Sequence, residues 1–235
     1  ITGASKGLGA SFAYTLANEG YKIIGIARNQ IQLDDTINNL PNKHLNHIAL
    51  PFDINNQTLV IKYLKGLDIY CLINNAGIVH SKPLQDSTSE DIDQILRLNL
   101  VSALNISNAV IPKMVENNYG RIINISSILG IRPLKLVGAY SISKSALIQM
   151  TKSQSIELAK YNILVNAIAP GYIITDLNRE FLESNKATSL INKIPLKRFA
   201  KVDELSTVLK MLIDPSNTYM TGSIINVDGG MSVSL

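Results

Sequence analysis

Thr2-Gly3-Ala4-Ser5-Lys6-Gly7-Leu8-Gly9 follows Ile1 directly and leads into the apolar-periodic run Leu8–Asn18. A strand that enters such a turn and leaves it as a helix has two physical consequences. Glycine permits positive φ and lets backbone N–H groups approach a ligand closely. The N-terminus of the next helix offers unpaired N–H donors and a partial positive charge, which suits a pyrophosphate. The spacing Gly3, Gly7, Gly9 is not G-x-G-x-x-G, so its weight comes from its place at the first strand–helix junction. Only the tail of that strand is visible. It reads as cut short, or the natural N-terminus as longer, with any targeting segment outside the sequence.

Working outward, short β-branched runs alternate with amphipathic ones. Strands are expected at Lys22–Ala27, His47–Leu50, Asp68–Asn74, Arg121–Ile125, Leu164–Ala169 and Ile224–Val227. Helices are expected at Leu8–Asn18, Ile31–Leu40, Gln57–Lys65, Glu90–Glu116, Ala139–Lys160 and Val202–Ile213, with Pro112 kinking or interrupting the fourth. Strict alternation predicts right-handed βαβ units: one α/β Rossmann-like, doubly wound domain over residues 1–235, its sheet of about seven parallel strands flanked by helices on both faces. The aperiodic stretch 172–200 reads as a substrate-binding lid.

The 235 residues are 46% hydrophobic and 17% charged, which suits a globular core and excludes a disordered chain. The net charge of +4 is spread along the chain, and its densest basic stretch, Lys193 to Lys201, reads as a solvated loop rather than a nucleic-acid surface. No run approaches the ~18 apolar residues of a membrane span. The single Cys71 lies in an apolar strand and indicates a reducing compartment, so a cytoplasmic location is expected. His44, His47 and His80 have no metal-ligand spacing and read as surface or loop residues, so no metal is expected.

Charge also selects a cofactor. A site for NAD usually carries an acid about 20 residues after the glycines, to accept the ribose hydroxyls. Here the second strand ends Gly25-Ile26-Ala27-Arg28 without one. Arg28 and Lys6 are placed to pair with a 2′-phosphate, which points to NADP(H).

Tyr140 and Lys144 stand one helical turn apart and share a face. A phenol with pKa about 10 is a poor acid–base at neutral pH, and a neighbouring ammonium, helped by an oxidised nicotinamide cation, is expected to pull it down. Ser126 and Ser127 end a strand at the carboxyl edge, where sheets of this class bind ligands and where a hydroxyl can hold a carbonyl oxygen. Either serine can instead serve local backbone. Asn74-Asn75-Ala76-Gly77 ends a strand at the same edge and can order the cofactor pocket or simply make a turn.

Taken together these residues resemble the short-chain dehydrogenase/reductase family, and the likeness spans the chain. Residues 2–9 match its Thr-Gly-x-x-x-Gly-x-Gly cofactor turn, Asn74–Gly77 its Asn-Asn-Ala-Gly element, and Ser127, thirteen residues before Tyr140, its serine. The resemblance implies a catalytic set of Asn99, Ser127, Tyr140 and Lys144, with Asn99 supporting a proton relay. It implies a cofactor site made of Gly3, Ser5, Lys6, Gly7, Leu8, Gly9, Arg28, Asp53, Ile54, Asn75, Ala76, Gly77, Tyr140, Lys144, Pro170, Gly171, Ile173 and Thr175. Hydride transfer between a nicotinamide and a carbonyl or secondary alcohol follows as the expected reaction.

Ile194–Phe199, Tyr219–Gly222 and Asn226–Gly230 are most similar to 3-oxoacyl-[acyl-carrier-protein] reductases, which makes a carrier-bound 3-oxoacyl group the leading substrate and acyl carrier protein a partner. The usual basic docking residues are absent: Glu116-Asn117-Asn118-Tyr119 stands in their place, leaving Lys113, Lys160 and Arg132 as substitutes. In the lid, Arg179 is offset by Asp176, Glu180 and Glu183. Ile173, Ile174, Leu177, Phe181 and Leu182 suit an acyl chain or pack the lid down. The alternatives are a reductase of small ketones or diketones, a sugar or steroid dehydrogenase, and a non-catalytic NADP(H)-binding regulator. Helices Glu90–Glu116 and Ala139–Lys160 match those through which relatives assemble, implying a homotetramer, with a dimer as the alternative.

Overall fold

The computed structural model describes residues 1–175, 182 and 187–234. The β-branched runs form β1 (Ile24–Ala27), β2 (Ile48–Pro51), β3 (Cys71–Asn74), β4 (Gly120–Ile125), β5 (Ile163–Pro170), β6 (Ile173–Ile174), β7 (Ala200–Lys201) and β8 (Ile224–Val227). All pairings are parallel: β1 with β2, β6 with β7, and β3-β4-β5-β8 in that order.

Residues 1–4 join the two larger sets. The Ile1 amine donates to the Ile24 carbonyl at 2.8 Å, Ile26 N–H to Ile1 O at 2.9 Å, and Thr2 N–H to Ile73 O at 3.0 Å. The opening segment therefore lies between β1 and β3, and the winding reverses beside it. That reversal is the crevice where doubly wound sheets take ligands, at the carboxyl ends of the strands. β1 and β3 are shorter than expected, starting at Ile24 and Cys71. Their first paired residues face Ile48 of β2 and Arg121 of β4.

The helices are α1 (Gly7–Asn18), α2 (Gln30–Asn38), α3 (Gln57–Leu64), α4 (Ser89–Leu96), α5 (Ser102–Glu116), α6 (Gly138–Leu158), α7 (Thr188–Ile191) and α8 (Ser206–Ile213). Strand periodicity sorts the core into two layers. Ile123 of β4 joins Phe12, Leu16, Leu33 and Leu209 on one face, while its neighbour Ile122 joins Val60, Ile106, Met114 and Val165 on the other. Each such side chain contributes about 1.5–3 kcal/mol by leaving water.

The stretch expected as one helix at Glu90–Glu116 is interrupted, though not at Pro112, which sits inside α5. Asn108, whose carbonyl loses its amide partner to that proline, is exposed to solvent, while Ile106, Val110 and Met114 hold the helix from the core side. The break is a π-helical turn at Arg97–Val101, with Asn99 buried in it. The whole of Ser89–Glu116 is long and apolar enough by length and composition to cross a bilayer, with 44% of its most apolar window buried in the fold.

Within the stretch expected as a lid, β6, β7 and α7 are ordered elements. Leu182, Ala187, Ile194 and Phe199 cluster there with Tyr172, Ile174 and Leu190. Ile173 belongs to the main core. Leu182 and Ile174 thus pack within the segment's own cluster, and Ile173 ties the segment to the main core. Asp176, Leu177, Arg179, Glu180, Phe181 and Glu183 lie outside the described residues.

Candidate active site

The glycine turn enters α1 at the carboxyl end of the opening segment. Gly3 and Gly7 take φ of +66° and +56°, the left-handed region that favours glycine. At Gly9 a Cβ would sit 2.2 Å from the Gly3 carbonyl oxygen and 2.7 Å from Asn75 Nδ2, so only glycine closes this turn. Ser5 is half-buried, its carbonyl accepting from the Thr36 hydroxyl of α2 at 3.1 Å. Thr36 was invisible to motif reasoning.

Lys6 and Arg28 are both exposed. Asp53, half-buried beyond β2, accepts the Asn55 N–H at 2.9 Å, and the Ile54 side chain is buried in the core. Asn75 and Ala76 fasten β3 to the turn: both N–H groups bond the Thr2 hydroxyl, at 2.9 and 3.0 Å, and Asn75 Nδ2 donates to Thr2 O at 2.9 Å. Asn74 points instead into the core, donating to Asn124 Oδ1 and Ser107 Oγ.

A cavity of about 810 Å³ opens at this edge. Leu8, Asn75, Gly77, Pro170, Gly171, Ile173 and Thr175 line it, together with Ser127, Tyr140 and Lys144. One wall, Leu134–Val137, lies immediately before α6, and Ile78, Val79, Tyr172 and Leu190 complete the apolar part. The walls carry no motif, because they come together only through folding.

Helix α6 delivers Tyr140, Ser143 and Lys144 on one face. Tyr140 is half-buried, and desolvation of its phenol pushes the pKa up from the ordinary value, while a hydrogen bond from Ser127 pulls it partly back. Ser127 Oγ accepts the Leu129 N–H at 3.1 Å, so its proton is free to be donated. Ser126 takes the other reading: its hydroxyl donates to the Lys144 carbonyl at 3.1 Å and fastens α6 to β4.

Lys144 is 4% exposed and donates from Nζ to the Ile125 carbonyl at 2.8 Å. Burial lowers its pKa to about 8. Nζ lies 5.7 Å from the Tyr140 ring centroid. The expected lowering of the phenol by Lys144 is therefore not found in the protein by itself. Desolvation dominates at the phenol, and the ammonium is spent on a strand carbonyl.

Asn99 is buried in its π turn. Its Oδ1 accepts the Ile78 N–H at 2.8 Å, and its Nδ2 donates to Ile78 O at 2.9 Å and to Ser143 Oγ at 3.0 Å. A Cβ on Gly77 would come within 3.2 Å of Asn99 Oδ1 and 3.5 Å of Lys144 Nζ, so the loop approaches both side chains as closely as glycine allows. π turns of this kind recur at functional sites.

Elsewhere, His47 is a structural clamp, accepting Ile23 N–H at Nδ1 (3.1 Å) with Nε2 2.8 Å from Pro41 O. Among the described residues no group of three or more His, Cys, Asp or Glu side chains could hold a metal ion. Cys71 is half-buried, and desolvation pushes its thiol up to about 12.

Comparison with known proteins agrees with this geometry. The short chain dehydrogenase family model matches residues 1–186. The 3-oxoacyl-[acyl-carrier-protein] reductase FabG of Thermotoga maritima is 34% identical over 238 residues, covering 99% of this chain and 96% of that protein. An L-xylulose reductase of Caenorhabditis elegans is 32% identical over 236 residues, covering 99% and 94%. Among solved structures, a gluconate 5-dehydrogenase from Burkholderia cenocepacia in complex with NADP and tartrate superposes with a TM-score of 0.93 at 28% identity, covering 100% of this chain and 94% of that one. The chain belongs to the short-chain dehydrogenase family.

Proposed function

We propose that the protein is an NADP(H)-dependent oxidoreductase interconverting a carbonyl and a secondary alcohol, acting as one cofactor-binding domain over residues 1–235. The observation that carries this reading is the meeting of Ser127, Tyr140 and Lys144 in one cavity that Leu8, at the end of the glycine turn, also lines.

The cradle fits the cofactor. The turn leaves no room for a Cβ at Gly9 and aims the N-terminus of α1 at the crevice, as a pyrophosphate requires. Ser5, Gly7 and Leu8 would hold that part, with Asp53 and Ile54 beside the adenine end. Asn75, Ala76, Pro170, Gly171, Ile173 and Thr175 would hold the nicotinamide end. Arg28 and Lys6 are exposed cations, β1 runs into Arg28 with no acid, and the two would meet a 2′-phosphate. The gluconate 5-dehydrogenase relative binds NADP. When bound, the cofactor supplies the hydride.

The chain's own residues do the rest. Ser127 donates to the substrate oxygen, and Tyr140 gives that oxygen its proton as the alcohol forms. Lys144 places positive charge beside the phenol and, with the cofactor bound, would hold its ribose. Asn99 fixes the Ile78 backbone and anchors the relay that returns the proton.

Among substrates, a 3-oxoacyl group on acyl carrier protein leads, supported by the reductase of Thermotoga maritima. A free small carbonyl, such as a ketone or sugar, is the second reading, and the docking cations favour it. Lys113 is paired with Glu116 at 2.8 Å, and Lys160 lies over the Tyr161 ring. Arg132 Nη1 is engaged by the carbonyls of Met231, Ser232 and Ser234. Exposed Val101, Leu104 and Ile142 on the π turn, α5 and α6 support a homotetramer, and the chemistry suits the cytoplasm.

The test is a panel of 3-oxoacyl thioesters, diketones, sugars and steroids followed by NADPH absorbance. Replacing Arg28 with Glu should raise the KM for NADPH at least tenfold and leave that for NADH nearly unchanged. Binding of NADPH without reduction of any carbonyl would instead support a regulator.

A further inference from the structure

The loop after β3 forms a strap, residues 78–82, beside the cavity, and it is pinned at both ends. At one end Asn99 holds both backbone groups of Ile78. At the other, Lys82 forms a parallel bridge with Val137, its N–H donating to the Leu136 carbonyl at 2.6 Å. The Lys82 ammonium reaches Asp91 Oδ2 at 2.6 Å. Asp91 is itself fixed: Oδ2 also accepts the Thr88 N–H at 3.0 Å, and the Asp91 N–H bonds the Thr88 hydroxyl at 3.3 Å, which makes the capping box of α4. A helix end is thus coupled through one ion pair and one backbone bond to the residue before Val137.

Leu136 is the residue held. Its φ of +70° lies in the left-handed region, where a branched side chain stays only if its surroundings fix it. Leu136 lines the cavity between Lys135 and Val137, four residues before Tyr140. Its carbonyl is the group that the strap engages. Behind it, a Cβ on Gly138 would stand 3.1 Å from Leu84 Cβ, so the turn that follows the strap lies against the start of α6.

We propose that Lys82 and Asp91 are positioning residues: through the strap they hold Leu136 in its left-handed conformation, and so fix the wall against which the apolar substituent of a carbonyl substrate packs. This rests on the oxidoreductase reading above. Neither side chain lines the cavity. They act on substrate affinity and leave the chemical step alone. The pair is partly exposed, at 40% and 32% of the side chains, so its effect is modest and falls with salt.

Lys82→Met and Asp91→Asn test this by two routes. In the intact protein, amide hydrogen exchange in peptides spanning 79–85 and 134–139 should speed up about threefold to fivefold in either variant, with 144–158 unchanged. Unchanged exchange in the first two peptides overturns the proposal, whatever the protein reduces. In steady state, with the panel carbonyl that wild type reduces fastest, KM should rise about fivefold while kcat and the KM for NADPH stay within twofold. Sodium chloride at 1 M should bring wild type toward the variants and leave the variants unmoved. A fall in kcat with KM unchanged overturns the proposal. A wild type inactive on every carbonyl removes the oxidoreductase reading, and the exchange result still decides the strap.

Discussion

Lys144→Met should make the protein more stable and nearly inactive. Burial lowers the lysine from 10.5 to about 8, a difference of about 3 kcal/mol at 1.36 kcal/mol per pKa unit. Methionine fills a similar volume without the charge. It forfeits the bond to the Ile125 carbonyl, about 1 kcal/mol, which leaves a net gain of about 2 kcal/mol at pH 7. For a chain of this size that is about 4–8 °C in Tm. The folded pKa lies below the unfolded one, so between pH 8 and 10.5 the unfolded chain binds the proton more tightly. Wild-type stability therefore rises with pH through that window, and the variant's advantage is full below about pH 8 and fades by about pH 10.5. Denaturant unfolding of both proteins at pH 7, 9 and 10.5 reads this directly, and NADPH oxidation should fall by at least about 10²-fold. A variant less stable at pH 7, or an advantage that does not shrink with pH, would refute burial as the source of the shift.

The two serines separate cleanly. Ser127→Ala removes the donor to the phenol and should lower kcat about 10²–10³-fold, whereas Ser126→Ala loses a helix fastening, about 1 kcal/mol of stability, with activity kept within a few-fold. Equal losses from both, in parallel steady-state and unfolding experiments, would contradict the division. Gly9→Ala drives a Cβ into the Gly3 carbonyl and should cost about 1–3 kcal/mol of stability, with NADPH affinity falling at least tenfold by fluorescence titration.

Much of this was readable from residue spacing, where a local rule carries the geometry. Tyr140 and Lys144 reach one cavity because a helix brings i and i+4 together, and Gly9 is readable because only glycine closes the turn. Arrangements made by distant segments were not readable. The π turn at Arg97–Val101 interrupts a sequence pattern that runs on unbroken. Asn99 finds its partners at Ile78 and Ser143, twenty-one and forty-four positions away. In the protein by itself the Tyr140 phenol shifts up, which spacing could not show: it tells which groups are near and not how far they are desolvated, and desolvation outweighs the lysine. The choice between Ser126 and Ser127 likewise needed the Lys144 carbonyl to be placed.

The proton donor is tested most directly by Tyr140→Phe, with NADPH oxidation followed in single turnover on the carbonyl that wild type reduces best. The expected result is a rate about 10²–10⁴-fold lower, with NADPH bound as tightly as before. A folded variant that reduces the carbonyl at the wild-type rate would show that the Tyr140 hydroxyl does not supply the proton.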